Sequence, residues 1–439
     1  MLSRVEIRAV SAVGLVYITR MLGLFMVLPV LALNADQYTG ATTASIGVAL
    51  GIYGLMQALL QVPFGNLSDR IGRKPVILMG LALFAAGSLL AALSTSIEML
   101  IFSRAIQGAG AVSAALLALL SECSREQDRS KLMAILGISI GLSFGLAMVL
   151  GPILASKWGI ESIFWLCIVL ALLGAMAILG LTPNQGEKAL RSNQSVEGGY
   201  YRTELWRLNL GIFSLHAVQM SLWVAVPLIL LNSFAIPESQ HWKWYLLAVG
   251  GGFLMMAPVM QAFAKRNLYR ATMLVGIASL ILAQIILAQA SIFSLFVFGL
   301  LVFFWGFNLL EATLPSLVSR WVDDSGRGRA MGWYSSSQFL GTFVGGSLGG
   351  VLAAQFGLFA VFGFGLTLFV IWFAVSLGMR AIPNIKSYVV AQLTAEEEAE
   401  LLASRGVLSV KNFPEQDEAF VRVDMAEVDA QTLEKYQLK

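Results

Sequence analysis

The chain has 439 residues, of which 57% are hydrophobic and 13% are charged, and its mean hydropathy is +0.77. This composition excludes a soluble globular protein of this length and predicts an integral membrane protein. The formal charge of +3 is small, and the basic residues lie in loops rather than along one helix face, which argues against a nucleic-acid partner.

Apolar stretches long enough to cross a bilayer recur from the N-terminus to about residue 380. The first follows two arginines and has no cleavage pattern, so we expect it to be a retained helix. We predict twelve spans, near 9–33, 44–64, 75–94, 97–121, 131–156, 160–181, 208–234, 243–263, 270–290, 292–319, 329–354 and 357–380. A polar spacer, 182–207, is expected to link two six-helix halves, 1–181 and 208–384.

Basic residues are concentrated on one side of these spans, which predicts that this side, with both termini, faces the cytoplasm. The opposite side receives only Lys157 and Lys243. Besides the spacer, the basic side receives Arg70, Arg73, Lys74, Arg125, Arg129, Lys131, Lys265, Arg266, Arg270, Arg320, Arg327 and Arg329.

The two halves are predicted to be repeats. Ser124-Arg125 with Asp128 returns 195 residues later as Ser319-Arg320 with Asp323, and Gly137 aligns with Gly332. Repeated six-helix halves with a binding site between them are typical of secondary transporters.

A polar stretch, Gly65–Pro75, is predicted to form a tight loop between spans two and three, with Pro75 in the first turn of the next helix. A carboxylate at this membrane depth needs a partner. We expect a charge cluster here, completed by Glu122 at the end of span four, that holds the cytoplasmic side shut. A plain anchor loop with surface salt bridges worth under about 1 kcal/mol is the alternative. The residues concerned are Gly65, Asp69, Arg70, Gly72, Arg73, Lys74 and Glu122.

Two arginines lie inside the first half of the membrane domain. Arg20 lies near the middle of span one, so it should face the interior of the helix bundle and have a partner there. The role of this pairing is either structural or linked to substrate or protons. In span four, Arg104 shares a helical face with Gly108, and Gln107 lies beside them. An arginine that reaches to the outer interface is the alternative for Arg104.

The second half carries His216 in span seven and Asn308 and Glu311 in span ten. Glu311 is the best candidate for carrying a proton, because a buried carboxyl group holds its proton more readily. A structural ion pair is equally compatible with the sequence. His216 is more often a hydrogen-bonded core residue than a proton relay.

Glycines recur at four-residue steps in spans five and eleven, a pattern that permits close helix packing. Span five also contains Pro152, which removes a backbone hydrogen bond and is expected to kink the helix. The glycines are Gly137, Gly141, Gly145 and then Gly151 in span five, and Gly341, Gly345 and Gly349 in span eleven.

Residues 385–439 are charged and carry short patterns typical of a small α+β unit. We predict a strand at 386–393, a helix opened by the capping box Thr394–Glu397, paired strands at 407–413 and 419–424, and a helix from Asp429. This order resembles a ferredoxin-like domain of the heavy-metal-associated type. The metal-binding cysteine pair is absent, and Cys123 and Cys167 lie elsewhere as packing residues, so no metal is expected.

Three of these motifs resemble the major facilitator superfamily of transporters. The Gly65–Lys74 spacing resembles the loop that holds the halves together when such a transporter faces outward, with Asp69 and Arg70 at the contact positions. Arg104–Gly108 resembles the fourth-helix motif, whose arginine is associated with proton coupling. Gly151-Pro152 resembles the fifth-helix motif of antiporters, although Ala147 and Ala155 replace two of its glycines.

The resemblance implies an all-α membrane protein of the inner membrane, with the ferredoxin-like domain in the cytoplasm. It also implies alternating access, in which protons enter as a small amphiphilic substrate leaves, with membrane lipid around the protein. No cofactor beyond the proton gradient is expected, and no nucleotide loop or nucleophile constellation suggests an enzyme. Two alternatives stay open, a proton-coupled uptake symporter and a non-transporting sensor that signals through the C-terminal domain. That domain could contact the membrane halves or a second protomer.

Overall fold

A computed structural model describes residues 4–123, 126–182, 199–266, 268–322, 326–379, 385–413, 418–425 and 427–429. Within these ranges twelve helical segments are long and apolar enough to cross a membrane, as predicted. The membrane helices are α1 Arg4–Phe25, α2 Thr43–Ile71, α3 Arg73–Ala92, α4 Ile97–Ala109, α5 Ser113–Glu122, α6 Glu126–Trp158, α7 Glu161–Leu181, α8 Gly199–Asn232, α9 Glu238–Lys265, α10 Tyr269–Gln289, α11 Phe293–Arg320, α12 Arg327–Phe356 and α13 Ala360–Leu377.

Spans one and four are interrupted, whereas the sequence predicts continuous helices. After α1 ends at Phe25, the chain continues through turns to a 3-10 helix at Ala32–Gln37. Pro29, which has no N–H to donate, lies in this interruption. Span four consists of α4 and α5, separated at Gly110, whose residue type is a poor helix former.

The stretch 65–75 is helical, so the predicted tight loop is wrong. Helix α2 runs beyond its apolar part to Ile71, and α3 begins at Arg73. Gly72 alone separates them, with φ of 98°, a conformation that favours glycine. Gly65 lies inside α2, where its Cβ position is an ordinary 3.5 Å from Ala114. Pro75 does lie in the first turn of α3, as predicted.

The spacer between the halves is shorter than the predicted 182–207, because α8 already begins at Gly199. Several predictions fall outside the described residues. These are the structure of 183–198, the repeat residues Ser124, Arg125 and Asp323, and the side chains of Asp128 and Gly137.

The two halves meet on the outer side of the membrane through α2 and α12. A Cβ atom added at Gly47 would lie 2.8 Å from the Cα of Gly350, and one added at Gly346 would lie 3.1 Å from the Cα of Gly51. Only glycines allow backbones to approach this closely. Beneath this contact the ring of Phe144 in α6 lies 6.5 Å from Trp223 in α8. The outer side is therefore closed.

The same two helices separate towards the cytoplasm. The Ser336 hydroxyl donates to the Ala58 carbonyl oxygen over 3.4 Å. Beyond this point Trp333 is 65% exposed, and no described atom lies within 4 Å of a Cβ added at Gly332 or Gly328. Among the described residues, the halves thus meet on the outer side and separate towards the cytoplasm.

The glycines of span eleven pack as predicted, but those of span five do so only in part. Cβ atoms at Gly341 and Gly345 would collide with the backbone of α8. Gly151 likewise contacts the backbone of Met26. Gly141 and Gly145 have no described atom within 4 Å of their Cβ positions, so the packing prediction is wrong there. They lie on a different face of α6 from Gly151, because six residues correspond to about 1.7 turns.

The C-terminal segment contains β1 Ile385–Ala391, α14 Ala395–Ala403, β2 Val407–Phe413 and β3 Glu418–Asp424. The sheet order is β1-β3-β2 with both pairs antiparallel, the arrangement of the first three strands of a ferredoxin-like unit. Thr394 and Glu397 form the predicted capping box. Leu401 of α14 and Val421 of β3 are fully buried in its small core. The helix predicted from Asp429 lies outside the described residues.

Candidate functional site

Three polar side chains from three different helices meet in the C-terminal half. The Nε2 atom of His216 in α8 lies 3.0 Å from Oε2 of Glu311 in α11. The side-chain nitrogen of Gln338 in α12 lies 3.2 Å from Oε1 of Glu311 and 2.8 Å from Nε2 of His216. We call these residues the carboxylate trio. A proton can move between the imidazole and the carboxylate at this distance.

The carboxylate trio is only partly buried. His216 is buried, but the side chain of Glu311 is 39% exposed, so the expected burial of this carboxylate is incomplete. Because the outer ends of the halves are packed together, the exposed part of Glu311 is reached from the cytoplasmic side. This arrangement can exchange a proton with water in one conformation of the protein.

Asn308 lies one turn before Glu311 but makes a different contact. Its side-chain nitrogen donates to the carbonyl oxygen of Val249 in α9 over 3.3 Å. The sequence groups Asn308 with Glu311, whereas the structure places it at a helix contact beside the carboxylate trio.

The N-terminal half holds the two predicted arginines around one tyrosine. Arg20 Nη2 donates to the hydroxyl of Tyr53 over 3.1 Å, and Arg104 lies over its ring, 5.2 Å from the centroid. Arg104 Nη1 also donates to Gln107 over 2.8 Å, and Gln107 donates to Ser88 over 2.7 Å. Arg20 is 3% exposed and Arg104 is fully buried, which rules out the interfacial alternative for Arg104.

The cytoplasmic end of the N-terminal half carries the predicted charge cluster. Arg73 Nε lies 2.9 Å from Glu122, and Arg73 Nη1 contacts Asp69. We call Asp69, Arg73 and Glu122 the latch cluster. Nearby, Lys74 Nζ donates to the Thr182 carbonyl oxygen over 2.6 Å.

The described contacts of the latch cluster tie together α2, α3 and α5, all in the N-terminal half. Arg70, expected to share the task with Asp69, is exposed, and the ion pairs of the described residues here do not include it.

Sequence reasoning missed two residues that complete these clusters. Gln338 lies in a polar run, Ser335–Gln338, inside an apolar span, and this run was the available signal. Tyr53 gives no such signal, since the residues around it in α2 are small and apolar.

Comparisons with known proteins give a consistent assignment. The model of the Major Facilitator Superfamily matches residues 13–208 and 208–414. The chain is 42% identical to the inner membrane transport protein YajR of Escherichia coli (strain K12), over 95% of this chain and 94% of that protein. It is 29% identical to the multidrug resistance protein MdtM of Escherichia coli O157:H7, over 57% of this chain and 63% of that protein.

A solved structure shows the same fold. A bacterial homolog to the human lysosomal transporter Spinster, in an inward-facing and occupied conformation, matches with a TM-score of 0.66 and 14% identity. The match covers 86% of this chain and 97% of that one.

Proposed function

Because the chain belongs to the Major Facilitator Superfamily, as a multi-pass transporter of the inner membrane, we propose that it exports small amphiphilic molecules in exchange for protons. The carboxylate trio carries this proposal. It places an ionisable carboxylate in a membrane helix, beside a histidine, where one conformation gives it access to one side only. An ionisable group at such a position marks a proton or substrate path by default.

The proposed cycle uses the two closures in turn. In the conformation seen here, Glu311 releases its proton to the cytoplasm and the substrate enters from the same side. The contact between α2 and α12 then opens, while the cytoplasmic ends of the halves close. Glu311 takes a proton from the outer side as the substrate leaves, and neutralising it favours the return. The proton gradient supplies the energy, and no cofactor takes part.

Two observations support export over uptake. The relatives include a protein named for multidrug resistance, and Gly151-Pro152 of α6 follows the antiporter-like pattern. Ala147 and Ala155 depart from that pattern, and they are the observation that favours a proton-coupled uptake symporter as the second candidate. Both functions would use the same carboxylate, so only the direction of movement separates them.

The test is proton movement in everted membrane vesicles with an acidic interior. A panel of lipophilic cations, organic anions, dyes, sugars and amino acids is added, and loss of the pH gradient is followed. We expect exported compounds to dissipate the gradient with wild-type protein. Glu311→Gln, which cannot ionise, should abolish this response while leaving the protein folded in the membrane. Glu98→Gln, an exposed carboxylate at the outer end of α4, is the matched control and should respond like wild type.

Two results would contradict the proposal. Full proton coupling in Glu311→Gln vesicles would remove this carboxylate as the proton carrier. Accumulation of a compound together with protons, in vesicles of the opposite orientation, would establish uptake instead of export.

A further inference from the structure

The arginine pair of the N-terminal half has hydrogen-bond donors without partners. Arg104 uses Nη1 for Gln107, but its Nε and Nη2 atoms are buried and have no hydrogen-bond partner among the described residues. Arg20 uses Nη2 for Tyr53, and its Nε atom is likewise buried and unpartnered. The Nε and Nη2 atoms of an arginine form one edge of the guanidinium group. That edge presents the two parallel N–H donors that bind a carboxylate in two places.

The charge of the pair is also uncompensated. No salt bridge to Arg20 or Arg104 occurs in the part of the chain that the structure describes, and the neighbour that they share is Tyr53 rather than a carboxylate. Arginine stays protonated in proteins, so two positive charges lie together at buried positions. Water could satisfy the free N–H groups, but it would leave both charges without a counter-charge.

The position of the pair is suited to a ligand. Both arginines lie five residues before the end of an interrupted helix, Phe25 in span one and Ala109 in span four. Transporter sites are often built at such interruptions. The positive charge of Arg104 acts on Tyr38, which follows the first interruption. Burial raises the pKa of Tyr38 above its usual range, so its unpartnered hydroxyl stays a neutral donor.

We propose that Arg20 and Arg104 bind the anionic head group, a carboxylate or related oxyanion, of the amphiphilic molecules that this protein transports. This inference rests on the proposed transport function and narrows its substrate class. The free edge of Arg104 donates hydrogen bonds to two oxygen atoms of the head group, while Arg20 supplies a further N–H donor and a second positive charge. The same two charges repel a cationic head group, so lipophilic cations are excluded from this position.

The first experiment measures binding by the purified, full-length, wild-type protein at low ionic strength. Three probes share one naphthalene ring and differ only in the head group: 1-naphthoate, 1-naphthamide and 1-naphthylmethylammonium. We expect 1-naphthoate to bind and to raise the thermal unfolding temperature, and the other two to bind about tenfold more weakly or worse. Equal binding of the amide or the ammonium compound, or no binding of 1-naphthoate, would overturn the proposal.

Variants then locate the head group. Arg104→Gln and Arg20→Gln should each weaken 1-naphthoate binding by about tenfold or more, since each loses charge-assisted donors. Arg104→Lys and Arg20→Lys keep the charge without the planar fork, so they provide folded proteins with intermediate affinity if the glutamine variants misfold. Arg8→Gln, on the exposed face of the same helix as Arg20, should bind like wild type. If the variants at both arginine positions bind 1-naphthoate with the wild-type affinity, the proposed site is refuted.

Sodium chloride and sodium phosphate, tested alone, distinguish a transported organic anion from a resident inorganic ion. If either salt produces the whole stabilisation and 1-naphthoate cannot displace it, the anion belongs to the fold and the substrate proposal fails. The binding assay needs no proton gradient, so its outcome is independent of proton coupling. If the protein exports neutral compounds with normal proton coupling and without selectivity for the head group, the head-group proposal is refuted and the proposed transport function is not.

Discussion

Three side chains, His216, Glu311 and Gln338, combine two ionisable groups with one neutral amide. Gln338 does not ionise, but its amide lies within hydrogen-bond distance of both ionisable partners. It is therefore a positioning residue, which holds the carboxylate and the imidazole in place by hydrogen bonds.

Replacement of this amide should weaken transport. In Gln338→Leu, the carboxylate and the imidazole lose a hydrogen-bond partner, so their geometry is less firmly fixed and we expect flux to fall by about tenfold. Flux in vesicles measures this loss, and Gln338→Asn should partly restore transport. Gln355→Leu, an exposed position on the same helix, is the control. Wild-type flux in Gln338→Leu would show that this amide does not position the two ionisable groups.

These residues also show what the sequence can and cannot reveal. Glu311 was identified because a carboxylate within a long apolar stretch is costly and therefore conspicuous. Tyr53 and Gln338 were not, since neutral polar residues are common in membrane helices and their partners come from distant parts of the chain. Tertiary packing alone brings Tyr53 to both arginines.

At the scale of helices, the outer closure is a contact between backbones. Gly47 and Gly51 of α2 face Gly346 and Gly350 of α12 without side chains between them. Similar glycine spacing in α6 and α12 predicted close packing for both, but Gly141 and Gly145 have no described neighbour. A glycine stripe identifies a helix face that could pack, whereas the conformation decides what lies opposite it.

A single methyl group should disturb this closure. In Gly346→Ala the added carbon would meet the backbone of Gly47 and Gly51, so we expect the outer ends of α2 and α12 to separate and outward-facing protein to accumulate. The distance between spin labels at the outer ends of these helices should lengthen, and transport should slow. Gly363→Ala, a position of α13 with no described atom within 4 Å, should leave both unchanged. An unchanged label distance in Gly346→Ala would disprove the closure.

At the scale of the whole molecule, the halves are in contact at the outer end, and a second closure is proposed at the opposite end. The outer one is formed here by glycines, while the cytoplasmic one is proposed to involve the latch cluster against α12. The sequence predicts the repeat of the two halves. It does not predict which side of the protein is closed, because the same residues are available to form either closure. The latch cluster is expected to hold the halves together in the outward-facing state, and in the conformation seen here its described contacts lie within the N-terminal half.

Removal of one charge from the latch cluster should slow the conformational cycle. In Asp69→Asn one of the two carboxylate partners of Arg73 becomes neutral, which weakens the latch cluster. Because the proposed cytoplasmic closure uses this cluster against α12, the outward-facing state loses stability. We expect reduced flux and a longer distance between spin labels at the cytoplasmic ends of α2 and α12, averaged over both states. Asp36→Asn, an exposed aspartate on the outer side, is the control. Unchanged flux in Asp69→Asn would eliminate the latch.

The unneutralised arginine pair has a consequence for bioenergetics. If one proton enters for each organic anion that leaves, every cycle transfers two positive charges inward, and the exchange is electrogenic. A membrane potential of 100 mV then contributes about 4.6 kcal/mol, and one pH unit adds about 1.4 kcal/mol. The voltage, rather than the acidity outside, would be the larger source of energy for extrusion, and cells would keep exporting such anions even in neutral surroundings.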